Sequence, residues 1–192
     1  MKILMVPSWY LSDERPTLGS FFREQALAVL EEGVDIRVAY TELRNPSFMF
    51  KDLKNKKQMG LNYSLDSGLK TYRYISYNIP PRITQCMELR FYWGLIKILD
   101  YLKAEGNWFP DIIHLHSFFP AGYGVLKLHK KLNIPYLITE HSTGFSNQGF
   151  KKYQLYYLKE ILEHSFNIIA VGKGLKDDLQ CYTNKNINII PN

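Results

Sequence analysis

The chain has 192 residues, 46% of them hydrophobic, 22% charged and 15% aromatic, with a formal net charge of +6. That balance describes one soluble globular domain with a substantial core, and the positive excess favours anionic partners: phosphorylated ligands, acidic glycans or anionic membrane surfaces. Its longest apolar runs, about five to seven residues, fall far short of the roughly 20 that span a bilayer. Two distant cysteines, Cys86 and Cys181, indicate neither a disulfide framework nor a Cys-based zinc site. Met1 to Pro7 is too short for a signal peptide, so a cytoplasmic protein is expected. No Arg/Lys-rich recognition helix or aromatic nucleic-acid motif appears, which argues against a nucleic-acid partner.

Lys2 to Val6 is a continuous apolar run, as in a strand buried on both faces of a parallel sheet. A polar loop follows from Pro7 to Gly19, including Ser8, Trp9, Tyr10 and Asp13. Ser20 then caps a helix whose core face is Phe22, Ala26, Val29 and Leu30, and Gly33 ends it. Asp35 to Tyr40 supplies a second strand, completing a βαβ opening with a right-handed crossover. Gly19 and Ser20 open the helix, where amides and the positive dipole end suit a phosphate, although the Gly-x-Gly-x-x-Gly spacing of dinucleotide binders is missing.

Residues 41–70 read as a long irregular insertion, in which Phe48-Met49-Phe50 precedes Lys51, Lys54, Lys56 and Lys57. That segment is either a solvated loop or a contact with a membrane or lipid-linked substrate. Thr71 to Ser76 is the next strand. A helix from about Thr84 to Lys103 carries a core stripe of Met87, Phe91, Leu95, Ile98, Leu99 and Leu102.

Asp111 to Ser117 forms a strand on which His114 and His116 share one face, because residues two apart point the same way. His-x-His can ligate zinc, with His141 as a conceivable third ligand. No carboxylate completes the set, so no metal is expected and His114 reads as a hydrogen-bonded core residue. Ala121-Gly122-Tyr123-Gly124 opens a helix whose glycines permit close approach to a ligand or to the sheet.

Tyr136-Leu137-Ile138-Thr139-Glu140-His141-Ser142-Thr143-Gly144 is a short apolar strand that ends in polar groups. Open α/β sheets bind ligands just beyond the carboxyl ends of their strands, so His141 is the first functional candidate. A helix over Lys152 to His164 and a strand over Ile168 to Val171 follow. Gly172-Lys173-Gly174 is a second candidate phosphate nest, and Ile187 to Ile190 is the last strand. The pattern predicts a Rossmann-like doubly wound fold, a mostly parallel sheet of about seven strands with helices on both faces.

In order and spacing, Pro7-Ser8-Trp9-Tyr10, Gly19-Ser20-Phe21, Glu24-Gln25, Asp111-Ile112-Ile113-His114-Leu115-His116, Thr139-Glu140-His141-Ser142, Ala170-Val171-Gly172-Lys173-Gly174-Leu175 and Ile189-Ile190-Pro191-Asn192 resemble the N-terminal half of a group 1 (family 4) glycosyltransferase of the GT-B fold. The resemblance spans almost the whole chain. It implies two Rossmann-like domains facing across a cleft, the N-terminal one holding the acceptor and the C-terminal one the nucleotide-sugar donor. It further implies transfer with retention of configuration and no bound metal or cofactor. Gly19, with Ser20, would lie near the donor diphosphate, and His141 near the transferred sugar as the catalytic residue. His116, Ser117, Glu140 and Ser142 would line the acceptor side, with Glu140 alternatively capping the next turn.

The Pro191-Asn192 ending resembles the family's connection to a donor domain, so the chain is expected to fold but not to transfer sugar alone. Its Gly172 stands where many relatives carry Ser. Implied partners are a nucleotide sugar and a glycan or lipid-linked acceptor of cell-surface polysaccharide synthesis, with peripheral contact at the inner membrane face. The alternatives are a sugar-nucleotide epimerase of the same fold and a non-catalytic glycan- or nucleotide-binding module. A serine hydrolase is excluded by the missing Gly-x-Ser-x-Gly elbow.

Overall fold

A computed structural model describes residues 1–12, 14–142, 144–145 and 149–191. Asp13, Thr143 and Asn192, which the sequence reading named, lie outside the described residues. Eight strands form one sheet in the order β3-β4-β2-β1-β5-β6-β7-β8. They are β1 Lys2–Pro7, β2 Asp35–Arg44, β3 Gly60–Asp66, β4 Leu69–Tyr77, β5 Ile112–His116, β6 Tyr136–Glu140, β7 Ile168–Ala170 and β8 Ile187–Ile189. All neighbouring pairs are parallel except β3 with β4. Six helices connect or flank them: α1 Ser20–Glu31, α2 Met49–Lys54, α3 Thr84–Gly106, α4 Ala121–Leu132, α5 Lys152–His164 and α6 Lys173–Gln180.

Side-chain alternation along the strands divides the interior in two. Leu4, Val6, Ile113 and Leu115 face a large core beneath α3, α4 and α5, completed by Phe91, Leu95, Val125 and Ile161. Met5, Ile36 and Val38 face a smaller core with Phe22 and Ala26 of α1. The period of two along a strand puts His114 and His116 on the opposite face from Ile113 and Leu115, the α1 side. The chain runs outward from β1 through β2 and β4, then returns to lay β5 on the other flank of β1. The crevice between the carboxyl ends of β1 and β5 is therefore the topological switch point of the sheet.

The structure departs from the sequence expectation at three places. Residues 41–70 are regular, holding the end of β2, a 3-10 turn at Pro46–Phe48, α2 and the edge strand β3, which brings the expected sheet of about seven strands to eight. Gly19 rather than Ser20 occupies the cap position of α1, and no side chain caps that helix. Gly172 is extended at φ −170° and only begins the short α6. A Cβ at Gly172 or Gly174 would meet nothing within 4 Å, so neither glycine is demanded by packing. In α4 the glycine expectation holds. A Cβ at Gly124 would come within 3.2 Å of the Tyr92 Cα, and this lets α4 lie close against α3.

Candidate active site

At the switch point Ser8 joins three elements. Its amide donates to the His116 carbonyl (3.0 Å), and its hydroxyl donates to the Ser117 carbonyl (2.7 Å) while accepting from the Ala121 amide (3.1 Å). Ser117 adopts φ +63°, in the left-handed region that costs a side-chain-bearing residue about 1 kcal/mol. Several bonds hold it there: besides the Ser8 hydroxyl, the Thr139 carbonyl accepts its amide (2.9 Å), and its own hydroxyl accepts the His141 amide (3.3 Å).

Glu140, last residue of β6, is fully buried and turned inward. One carboxylate oxygen accepts the His141 and Ser142 amides (3.0 and 2.9 Å), and the other accepts the Phe118 amide (2.8 Å). A carboxylate with three amide donors is well satisfied without a counter-cation. Of the two roles expected for Glu140, the structure shows the turn-fixing one. Buried and committed to these amides, its carboxylate is not available to an acceptor.

These bonds set the position of His141. Its Nε2 lies 3.0 Å from Nδ1 of the fully buried His116, and the two rings stack at 5.3 Å between centroids. The His114 ring lies tilted against His116, 3.9 Å between centroids, and bonds the Thr139 hydroxyl through Nε2 (2.8 Å). Phe22 of α1 meets both His116 and His141 edge-on at 5.0 Å. Burial pushes the His141 ring down to about 4 and the His114 ring down to about 3, and holds His116 well below its ordinary value. All three are neutral at pH 7. Nδ1 of His141, the Ser142 hydroxyl and Nε2 of His116 are buried without a hydrogen-bond partner among the described residues.

His141 and Ser142 line a cleft of about 580 Å³. Its other walls come from Ser8 and Trp9 after β1, Tyr40, Thr41 and Leu43 of β2, Met87 and Phe91 of α3, and Phe119 and Phe150. His116 and Ser117, expected on the acceptor side, do not line it. Both are fully buried behind His141 and support it from there. Gly19 does not line it either; buried at φ +72°, it is wedged between the cleft residue Trp9 and Phe22. Phe22 thus connects the α1 N-terminus to both histidines. Ser20 is half-buried, and its amide is engaged by the Thr17 carbonyl at 3.4 Å.

Sequence reasoning assigned no role to Ser8, Phe22 or the aromatic walls. Pro7-Ser8-Trp9-Tyr10 was the available signal for the first; Phe22 read as a plain core position. Among the described residues no group of three His, Cys, Asp or Glu side chains is arranged to hold a metal. The His114 Nε2 and His116 Nδ1 atoms are taken up by hydrogen bonds.

The model of Glycosyltransferase Family 4 matches residues 19–192. The chain belongs to glycosyltransferase family 4. Among curated proteins it is similar to TuaC of Bacillus subtilis (strain 168), named for teichuronic acid biosynthesis as a glycosyltransferase, at 24% identity over 199 residues. That match takes in 100% of this chain and 49% of TuaC, so the family 4 chain described here spans about half the length of the relative it matches. Among solved structures it is similar to the catalytic domain of starch synthase IV from Arabidopsis thaliana bound to ADP and acarbose, with TM-score 0.55 and 13% identity over 99% of this chain and 51% of that one. UDP-GlcNAc 2-epimerase from Neisseria meningitidis bound to UDP-GlcNAc gives TM-score 0.56 and 13% identity over 98% and 46%. At such identities these two likenesses establish the fold of the family 4 chain and nothing further.

Proposed function

We propose that this chain is the acceptor-side domain of a retaining GT-B glycosyltransferase, which moves a sugar from a nucleotide-sugar donor to a glycan or lipid-linked acceptor in cell-surface polysaccharide synthesis. The donor-binding domain lies outside these residues. The observation that carries the reading is His141: a neutral imidazole held by His116 at the end of β6, lining a cleft beside the α1 N-terminus.

Glycosyl transfer develops positive charge on the sugar ring and negative charge on the departing phosphate. A neutral His141 can hydrogen-bond a sugar hydroxyl through its unpartnered Nδ1 without opposing the ring charge. The N-terminus of α1, opened by Gly19 and Ser20, supplies the positive end of a helix dipole, suited to the phosphate. Ser142, whose hydroxyl also lacks a partner, serves the acceptor, and the aromatic walls stack against its sugar faces. His116, Ser117 and Glu140 act on the acceptor only through the placement of His141 and Ser142.

The decisive test uses the protein that contains both domains, supplied with UDP-hexoses and a lipid-linked glycan fraction. UDP release should require the acceptor, the product should keep the donor's anomeric configuration, and His141→Ala should lower kcat more than about 100-fold. Turnover by the 192-residue chain alone, or acceptor-independent conversion of the nucleotide sugar as in an epimerase, would overturn the reading.

The same protein docks peripherally on the cytoplasmic face of an anionic membrane through α2. That helix exposes Phe50 (87%) and Leu53 (77%) beside the solvent-facing Lys51 and Lys54, while its one buried residue is Asp52. Asp52 is gripped by Arg44 (2.7 Å twice), which also reaches Glu42 (2.9 Å) and Glu14 (2.9 Å). Among the described residues no helix is long and apolar enough to cross a membrane. Replacing the four lysines should abolish binding to phosphatidylglycerol vesicles; unchanged binding would dismiss this contact.

A further inference from the structure

A second cavity of about 550 Å³ lies next to the His141 cleft, with Leu43 of β2 lining both. Its other lining residues are Asn45, Pro46, Asn78, Pro81 and Arg82. Leu43 and Asn45 flank the end of β2, and Asn78 is the first residue after β4. The cavity therefore opens on the same carboxyl edge of the sheet as His141, displaced outward from the switch point.

Two polar groups in this cavity have no partner among the described residues. The side-chain oxygen of Asn78 is buried without a hydrogen-bond partner, although the Asn78 backbone amide is satisfied by the Arg44 carbonyl (2.8 Å). An orphaned buried oxygen is costly, and its presence marks a place where a donor arrives from elsewhere. The second group is Arg82. Arg23, Arg37, Arg44 and Arg73 each pair with a carboxylate, and Arg90 donates to the Ile79 carbonyl. Arg82, like Arg15 at a different cavity, has no such partner among the described residues, and no carboxylate lines the cavity of Arg82. A guanidinium presents a planar fork of donors matched to a carboxylate or phosphate.

We infer that this cavity is a distal acceptor subsite for an anionic, hydroxyl-bearing unit of the acceptor glycan, with the anion on Arg82 and a hydroxyl donating to the Asn78 oxygen. The inference rests on the transferase reading, in that the acceptor's reacting end then lies at His141 and the chain of sugars passes Leu43. It adds the chemical class of the acceptor, which that reading leaves open. A uronate and a glycan phosphate present the same chemistry to these two residues.

The test is binding, which needs no turnover. The 192-residue chain is titrated by NMR with a glucuronate-containing tetrasaccharide, a glycerol-phosphate tetramer and neutral maltotetraose, following the side-chain nitrogens of Asn78, Arg82 and His141. At least one anionic ligand should shift all three residues, and which of the two does so identifies the anion. Arg82→Ala, at an exposed position, should weaken that ligand about tenfold and leave maltotetraose unchanged; Asn78→Asp should weaken it by charge repulsion. Equal binding of the neutral oligomer, no shift with any ligand, or unchanged affinity in both variants overturns the subsite. Absence of turnover in the two-domain protein would defeat the transferase reading while leaving these shifts in place, so the two failures are separable.

Discussion

Nδ1 of His116 and Nε2 of His141 meet at 3.0 Å, and this bond ties the end of β5 to the residue just past β6. His116 is fully buried and its other ring nitrogen has no partner among the described residues, so the polar task of its side chain there is to fix His141. His116 is thus a positioning residue. In the two-domain protein, His116→Gln should lower kcat about tenfold to hundredfold while leaving the acceptor KM nearly unchanged. The His141 ring nitrogens should also lose their single-tautomer NMR signature. An unaltered tautomer with reduced kcat would contradict the assignment.

Acid should unfold the chain through these rings. In the folded protein His141 protonates near 4 and His114 near 3, both below the ordinary value of 6.5. The unfolded chain takes up these protons first as the pH falls. The stability is therefore complete above about 6.5 and is lost as the pH falls through 4 and 3, by up to roughly 3 kcal/mol for His141 and roughly 5 kcal/mol for His114. Urea titrations at pH 7 and pH 4.5 measure this loss, and His114→Asn should reduce it.

Glu88 acts in the opposite sense. It sits on α3 with 5% of its surface exposed, and burial raises its carboxyl from 4.5 to about 7. Here the folded state holds the proton longer, so the stability is complete below about 4.5 and declines as the pH rises through 7. Glu88→Gln should raise the melting temperature at pH 8, by an effect of up to roughly 3 kcal/mol, and change little at pH 4.5. A uniform shift at both pH values would show that packing, and not charge, governs this position.

Gly19→Ala should disturb both fold and site. A side chain at φ +72° is strained, and the new Cβ would lie 2.9 Å from the Phe22 ring and 3.0 Å from the Trp9 ring. Phe22 cannot retreat without leaving the edges of His116 and His141. A loss of about 1–3 kcal/mol is expected in urea unfolding, together with shifted His116 and His141 signals. Gly172→Ser, whose Cβ meets nothing within 4 Å, should leave both unchanged and serves as the control.

The doubly buried strands were readable because burial on both faces leaves continuous apolar runs such as Ile3 to Val6. The α5 helix was found from Lys152 to His164. The elements missed between residues 41 and 70 had no such signature. The only buried residue of α2 is an acid, Asp52, so its sequence shows no apolar stripe. Edge strand β3 has no fully buried residue, so its alternation is lost. At the site, a histidine beyond a strand end was legible from topology alone. The inward turn of Glu140 and the burial of His116 were not, because they rest on long-range contacts, the Phe118 amide on Glu140 and the Phe22 ring on His116.

The charged knot around Arg44 carries a consequence for how this surface can change. Glu14, Glu42 and Asp52 are met by Arg44, Arg73 and Lys57 in a closed set that links the loop after β1, two strands and α2. Since a single carboxylate anchors α2, the remaining faces of that helix answer to no packing constraint. Natural variation or engineering can rewrite what the helix offers to its surroundings, provided Asp52 stays, without disturbing the sheet edge that carries His141.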